Sequence, residues 1–178
     1  MKLKNPVVFC GLVIAVWSVC FHAFAQLFAR DFDEQEWVEQ QARLPAFPKA
    51  ENLLVARIEV ARTFQFMVDA STIDVGKDGV VRYVLVARSA SGSENISFEG
   101  LRCETRERKL YAVGRPDKTW AQARNSAWIA YSKSATNHYA ELAAMFFCPD
   151  TLVAQNAGQV VNLLKSGGFK APPFFSDR

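Results

Sequence analysis

Between Leu53 and Arg115, apolar side chains recur at every second position. Phe64, Phe66 and Val68 alternate with Gln65, Met67 and Asp69, and Val81, Tyr83, Leu85 and Ala87 alternate with Val80, Arg82, Val84 and Val86. A period of two sends successive side chains to opposite faces of a strand, so the stretch reads as β-structure. The breaks within it, GKDG at 76–79, SASGSE at 89–94 and TRERK at 105–109, are short and rich in Gly, Ser or charge, as hairpin loops are. Connections of that length join neighbouring strands that run antiparallel. The expected core is an antiparallel β-meander of about five strands. In the fourth main strand, Leu101 and Cys103 share one face while Ile96, Phe98 and Arg102 share the other.

Beyond the strands the period lengthens. Tyr139, Leu142, Ala143 and Phe146 recur at i, i+3, i+4 and i+7 until Pro149, predicting a helix from His138 to Phe147. Ala157, Val160, Val161 and Leu164 repeat the pattern, starting near Asn156 and ending at Gly167-Gly168. The fold class is α+β, with two C-terminal helices packed on the meander. A short N-terminal helix is expected as well, because Asp33 and Glu36 resemble a helix start and Trp37, Gln41 and Leu44 follow at helical spacing before Pro45. The stretch LPAFPKAENL then reads as an extended connector. Residues 26–50 are thus assigned to helix and connector, 51–168 to a single α+β domain, and 169–178, which lack periodicity, to a flexible tail.

The first 25 residues read as a secretory signal peptide. Lys2 and Lys4 precede the apolar run Val7 to Phe24, and Ala23-Phe24-Ala25 has the small-x-small form of a cleavage site. The rival reading is an uncleaved anchor helix. Cys20 does not make the chain a lipoprotein, because WSVC has Trp17 and Val19 where aliphatic and small residues are required. Cleavage removes Lys2 and Lys4, so the formal charge falls from +3 to +1, and no basic patch remains to attract nucleic acid. It also removes Cys10 and Cys20. Export leaves Cys103 and Cys148 in an oxidising compartment, where a disulfide is the default and closing so long a loop stabilises by roughly 4 kcal/mol. A redox pair is the alternative, although such pairs usually stand close in sequence.

Candidates for chemistry are few. His138 is the single histidine outside the signal segment, which excludes histidine-rich zinc sites and two-histidine mechanisms, and it is expected to be a surface residue at a helix start. There is no G-x-S-x-G, P-loop or dinucleotide fingerprint. No catalytic residue, metal ligand or cofactor is assigned. Asp69, Asp74, Glu94 and Glu99 lie on or beside strands and read as solvated residues or turn formers, with paired-carboxylate catalysis as the alternative. The stretch WAQARNSAW at 120–128 follows Pro116-Asp117, a helix-start pair, and a helix across Trp120 to Ala127 would set Arg124 between two indoles. Stacked in that way, Arg124 acts as a strut, or, together with Arg102, Arg115, Trp120 and Trp128, as part of a site for a small anionic ligand.

The stretch VGKDGVVRYVLVARSASGSENISFEGLRC, followed by KLYAVGR and two tryptophans, resembles the cryptic neisserial protein-like family. The resemblance spans roughly Phe32 to Gly167 and is most specific at DGVVRY, EGLRC and KLYAVGR. It implies a small exported protein of the Gram-negative envelope with one domain, and it brings no catalytic residues. The functional expectation is a periplasmic, non-enzymatic binding or interaction domain whose partner is an envelope protein or a small anionic ligand, with no nucleic acid and with membrane contact only through an uncleaved signal peptide. The alternatives are a small envelope enzyme using paired carboxylates, and a structural envelope component suggested by the apolar tail APPFF.

Overall fold

The computed structural model describes residues 36–59, 63–132 and 137–170. The signal segment, the expected helix start at Asp33 and the tail from Ala171 onward lie outside these residues. The chain divides into two compact units, Met1–Trp37 and Val38–Arg178. Of the first, only Glu36 and Trp37 are described. Among the described residues no helix is long and apolar enough to cross a membrane.

Among its described residues, the second unit is built on an eight-stranded antiparallel sheet. Its strands are β1 (Leu53–Ala56), β2 (Phe64–Asp69), β3 (Asp74–Val75), β4 (Val80–Ser89), β5 (Glu94–Arg102), β6 (Glu107–Gly114), β7 (Trp120–Gln122) and β8 (Ile129–Ala130). The main path runs β1-β2-β4-β5-β6-β7, with β3 pairing to β4 and β8 to β6. The five longest strands are those the alternation marked. The three additional ones are two or three residues long, too short for a period of two to be visible.

One face of the sheet carries Phe66, Val68, Val81, Tyr83, Leu85 and Leu101, all buried. Two helical segments cover it. The helix α1 (His138–Leu142) continues as one π-helical stretch, Ala143–Phe147. There the N–H of Cys148 reaches back five residues to the Ala143 carbonyl at 2.7 Å. That wider turn leaves Leu142, Ala143, Phe146 and Phe147 all buried, and Phe147 stacks on Tyr83 with ring centroids 4.3 Å apart. The helix α2 (Ala157–Ser166) begins at Asn156, whose side chain accepts from the Gln159 N–H, and ends at Gly167 with φ 85°, the left-handed closure that glycine adopts without strain. Its Val160 and Leu164 complete this core. A disulfide joins Cys103, just past β5, to Cys148, just past the π-helical stretch, with Cα atoms 5.7 Å apart.

The opposite face is where the expectations change. In place of an N-terminal helix, residues 36–49 form neither helix nor strand. From Val38 onward the segment acts as a strap on the sheet. Its main chain is held by side chains: the Gln40 N–H donates to Asp78 Oδ2 at 2.8 Å, and Arg82 Nη2 donates to the Gln40 carbonyl at 2.8 Å. A helix through Gln40 would need those groups for its own ladder, so tertiary bonds override the local pattern. Ala42 packs with Ile96, Tyr111 and Trp120 on a small core of Val84, Phe98 and Ala112. The GKDG loop is shaped to this contact. A Cβ on Gly76 would overlap Asp78 Oδ1 and lie 2.7 Å from Arg82 Nη1, so only glycine lets the pair close there.

The second correction concerns WAQARNSAW. Trp120 to Gln122 is strand β7, paired with Ala112 to Gly114 of β6, and the residues after it are not helical. Pro116-Asp117 begins a tight turn instead of a helix. Thr119 donates through N and Oγ1 to Asp117 Oδ1, the Arg115 N–H bonds the Thr119 carbonyl, and Lys118 takes φ 63°. The Pro-Asp signal is common to helix starts and turns. Here the unpaired edge of β6 decides between them.

Candidate functional site

The residues grouped in the sequence as an anion site do not converge. Arg102 faces Glu107 at the start of β6 and pairs with Glu104 at 2.9 Å, whereas Arg115 follows Gly114 at the other end. At about 3.3 Å per residue, those ends are roughly 23 Å apart. Trp120 donates its indole N–H to the Pro45 carbonyl at 2.9 Å and packs on Phe47, with ring centroids 5.3 Å apart. Trp128 donates to Glu39 Oε2 at 3.1 Å, and the cation over its ring is Lys109 at 5.6 Å. Arg124 lies exposed in the loop between β7 and β8. Both indoles thus bond to the segment from Glu39 to Pro45. Glu39 is the hub: it also accepts from Lys109 Nζ at 2.6 Å and Tyr111 OH at 2.9 Å. Burial pushes its carboxyl up, but these donors outweigh that and hold it below the usual glutamate value.

A different cluster lies on the helix-covered face. A cleft of about 520 Å3 is lined by residues of β2, β4 and β5 and by His138 and Tyr139 of α1. That volume falls within the range of small-molecule sites. Glu99 lines it while only 3% exposed, a correction to its reading as a solvated strand residue. It stands opposite Tyr83 in the β4–β5 register and accepts from Tyr83 OH at 3.2 Å, Ser97 Oγ at 2.6 Å and Tyr139 OH at 3.3 Å. Burial raises its pKa, and bonds from Ser97 and Tyr83, the charge of Arg108 and the Tyr139 hydroxyl offset this only in part. Asp69 is likewise buried, and caps the turn after β2 by accepting from the N–H and hydroxyl of Ser71 at 2.9 and 2.6 Å.

His138 stands at the helix start expected, after the Asn137 cap, but is half-buried. Its imidazole stacks on Phe66 with centroids 4.6 Å apart, and burial, followed by the positive charge of Arg108, lowers its pKa below 6.5. Neutral pH leaves it uncharged. Arg108 sits 4.4 Å over the Tyr139 ring and is not among the residues lining the cleft. The hydrogen-bond partners of Glu99 are hydroxyl groups, and it is the one acid among the described residues that line the cleft. The described residues do not group three His, Cys, Asp or Glu side chains where a metal ion would be held.

Parity carries the signal that would have found this site. Glu99 has the strand parity of Leu101 and Cys103, so it points to the face the helices cover. An acid at a buried-parity position is the informative exception among strand carboxylates.

A second, smaller cleft of about 240 Å3 lies beside the disulfide, between Arg106, Tyr131, Ala140, Ala144 and Thr151. Burial raises the pKa of Tyr131 on its wall, and the charge of Arg106 offsets this in part.

No solved structure matches this chain. Cryptic neisserial protein 1 of Neisseria gonorrhoeae (strain ATCC 700825 / FA 1090) is similar to it, 26% identical over 155 residues that cover 78% of this chain and 76% of that protein. The profile of the CNP1-like family matches residues 32–165, a span that takes in all eight strands, both cysteines of the disulfide, the Glu99 cluster and nearly all of α2. The chain belongs to the CNP1-like family.

Proposed function

We propose that this protein is an exported, non-enzymatic binding domain of the Gram-negative envelope, and that its ligand occupies the cleft above Glu99. The observation that carries the reading is a cleft of about 520 Å3 that combines a buried, hydrogen-bonded carboxylate with Phe64, Phe66, His138 and Tyr139 at its walls. Apolar walls with a few converging polar groups are the form small-ligand sites take. Export is supported by the lysine-flanked apolar run ending in Ala23-Phe24-Ala25, and by a disulfide of the kind oxidising compartments sustain.

Two experiments test this reading. Cell fractionation of a producing Gram-negative host should place the processed protein in the periplasm, and recovery of the unprocessed chain in the cytoplasm would defeat the export half. For binding, the protein is screened by amide NMR against a fragment library. Hits should shift resonances of Thr63, Phe66, Ser97 and Tyr139, and Ala87→Phe, which fills the cleft, should abolish those shifts. Hits that map elsewhere and survive Ala87→Phe would refute the site.

A further inference from the structure

Resting on that cleft as the binding site, we infer that its ligand class is a small organic amine, with the ammonium set against Glu99 and the apolar body against Phe64, Phe66 and His138. The first reason is charge. Glu99 is the one acid among the residues lining the cleft, and no lysine or arginine is among them. An anion placed there would meet a carboxylate in a poorly solvated setting, where the charge of Arg108, outside the lining, already acts on Glu99. The small anionic ligand expected from the sequence therefore does not suit this cleft.

The second reason is hydrogen-bond capacity. An ionised carboxylate offers about four lone-pair sites. Three hydroxyls, from Tyr83, Ser97 and Tyr139, engage Glu99. Oε1 accepts from Ser97 and Tyr139 and Oε2 from Tyr83 alone, so capacity for one further donor remains on Oε2. The third reason is the wall. Phe64 is 39% exposed at the rim, its ring 6.2 Å from that of Phe66, which in turn is stacked with His138. Aromatic faces beside a carboxylate favour ammonium groups through the ring quadrupole. The same preference is already used within the protein, where Arg108 lies over the Tyr139 ring at 4.4 Å.

The groups that face Glu99 give the proposal a pH signature. Tyr83 on β4 and Tyr139 on α1 both have raised pKa values through burial and then through Glu99, so they remain neutral donors. Arg108 on β6 lies over the Tyr139 ring, and His138 on α1, its pKa lowered by burial and then by Arg108, is neutral except in acid. As pH falls, Glu99 takes up a proton sooner than a surface glutamate does, and His138 then gains charge. Both changes weaken ammonium binding, so affinity falls on acidification.

The test uses the processed full chain and three probes of similar shape: phenethylamine, 2-phenylethanol and 3-phenylpropionate. Calorimetry should show the amine binding at least about tenfold more tightly than the alcohol or the acid, with NMR shifts at the cleft. Glu99→Gln keeps the shape and removes the charge, and should cost the amine about tenfold or more while leaving the alcohol unchanged. Phe64→Leu, at an exposed rim position where folding is not at stake, should weaken the amine and the alcohol alike, because both set the same apolar body against that ring. Equal binding of amine and alcohol, tighter binding of the acid, or insensitivity of the amine to both variants would overturn the amine assignment while leaving the cleft as a site. Failure of all three probes to perturb the cleft would overturn both.

Discussion

Asp78→Ala is the substitution that tests the strap most directly. Asp78 and Arg82 are paired at 2.6 Å with side chains only 2% and 4% exposed. Asp78 also accepts from the Gln40 N–H at 2.8 Å, and Arg82 Nη1 donates to Asp78 Oδ1 at 3.2 Å. Deleting the carboxylate leaves a buried guanidinium with the Gln40 carbonyl but without its counter-charge, while Arg82 Nε already lacks a hydrogen-bond partner. Removing one partner of a buried pair costs about 3 to 5 kcal/mol, a large fraction of the ~5 to 15 kcal/mol that holds a domain together. The assay is urea unfolding of the oxidised protein, combined with limited proteolysis read at residues 38–48. The variant should unfold at lower urea and be cleaved early in the strap. Adding Arg82→Met should recover much of the loss, because an apolar side chain of similar length needs no counter-charge. A single variant within ~1 kcal/mol of the parent, or a double variant less stable than the single, would refute the reasoning. Acid supplies an independent check. Burial raises the Asp78 pKa, but hydrogen bonds from Arg82 and Gln40 outweigh it and leave it below 3.8. Its contribution is therefore present above that value and lost as pH falls through the depressed folded pKa.

Glu99 has the opposite sign: its raised folded pKa means its contribution is fully present below the ordinary value of 4.5 and lost as pH rises through the folded value. Urea midpoints measured across pH should show the parent gaining on Glu99→Gln as pH is lowered through that window, and a constant difference would count against burial of the charge. Cys103→Ala should cost about 2 to 5 kcal/mol, and parent protein purified under oxidising conditions should show Cys103 and Cys148 closed to alkylation in non-reducing mass spectrometry. Trp128→Phe removes the N–H donated to Glu39 and should lower stability by about 1 kcal/mol, whereas Arg124→Lys, at an exposed loop position, should stay within about 0.5 kcal/mol in the same titration.

Local pattern was enough to read the five long strands, their antiparallel order and the two C-terminal helices, because a face that must be buried writes its period into the chain. Asn156 and Gly167-Gly168 marked the ends of α2, since caps are satisfied by the residues beside them. The Cys103–Cys148 pairing followed from counting the cysteines outside the expected signal segment. Elements governed by distant partners were not legible in this way. Trp37, Gln41 and Leu44 have helical spacing, yet the N–H and carbonyl of Gln40 between them are taken by Asp78 and Arg82 some forty positions away. Trp120 to Gln122 has helical company, yet it pairs with the open edge of β6. The Glu99 cluster needed both kinds of information. Parity placed the acid on the covered face, but only tertiary packing brought Tyr139 to hydrogen-bond distance of it and set His138 on Phe66 at the cleft wall. A strand's own period determines which way a side chain points. What it meets there depends on elements folded over it from elsewhere in the chain, and no local pattern encodes that meeting.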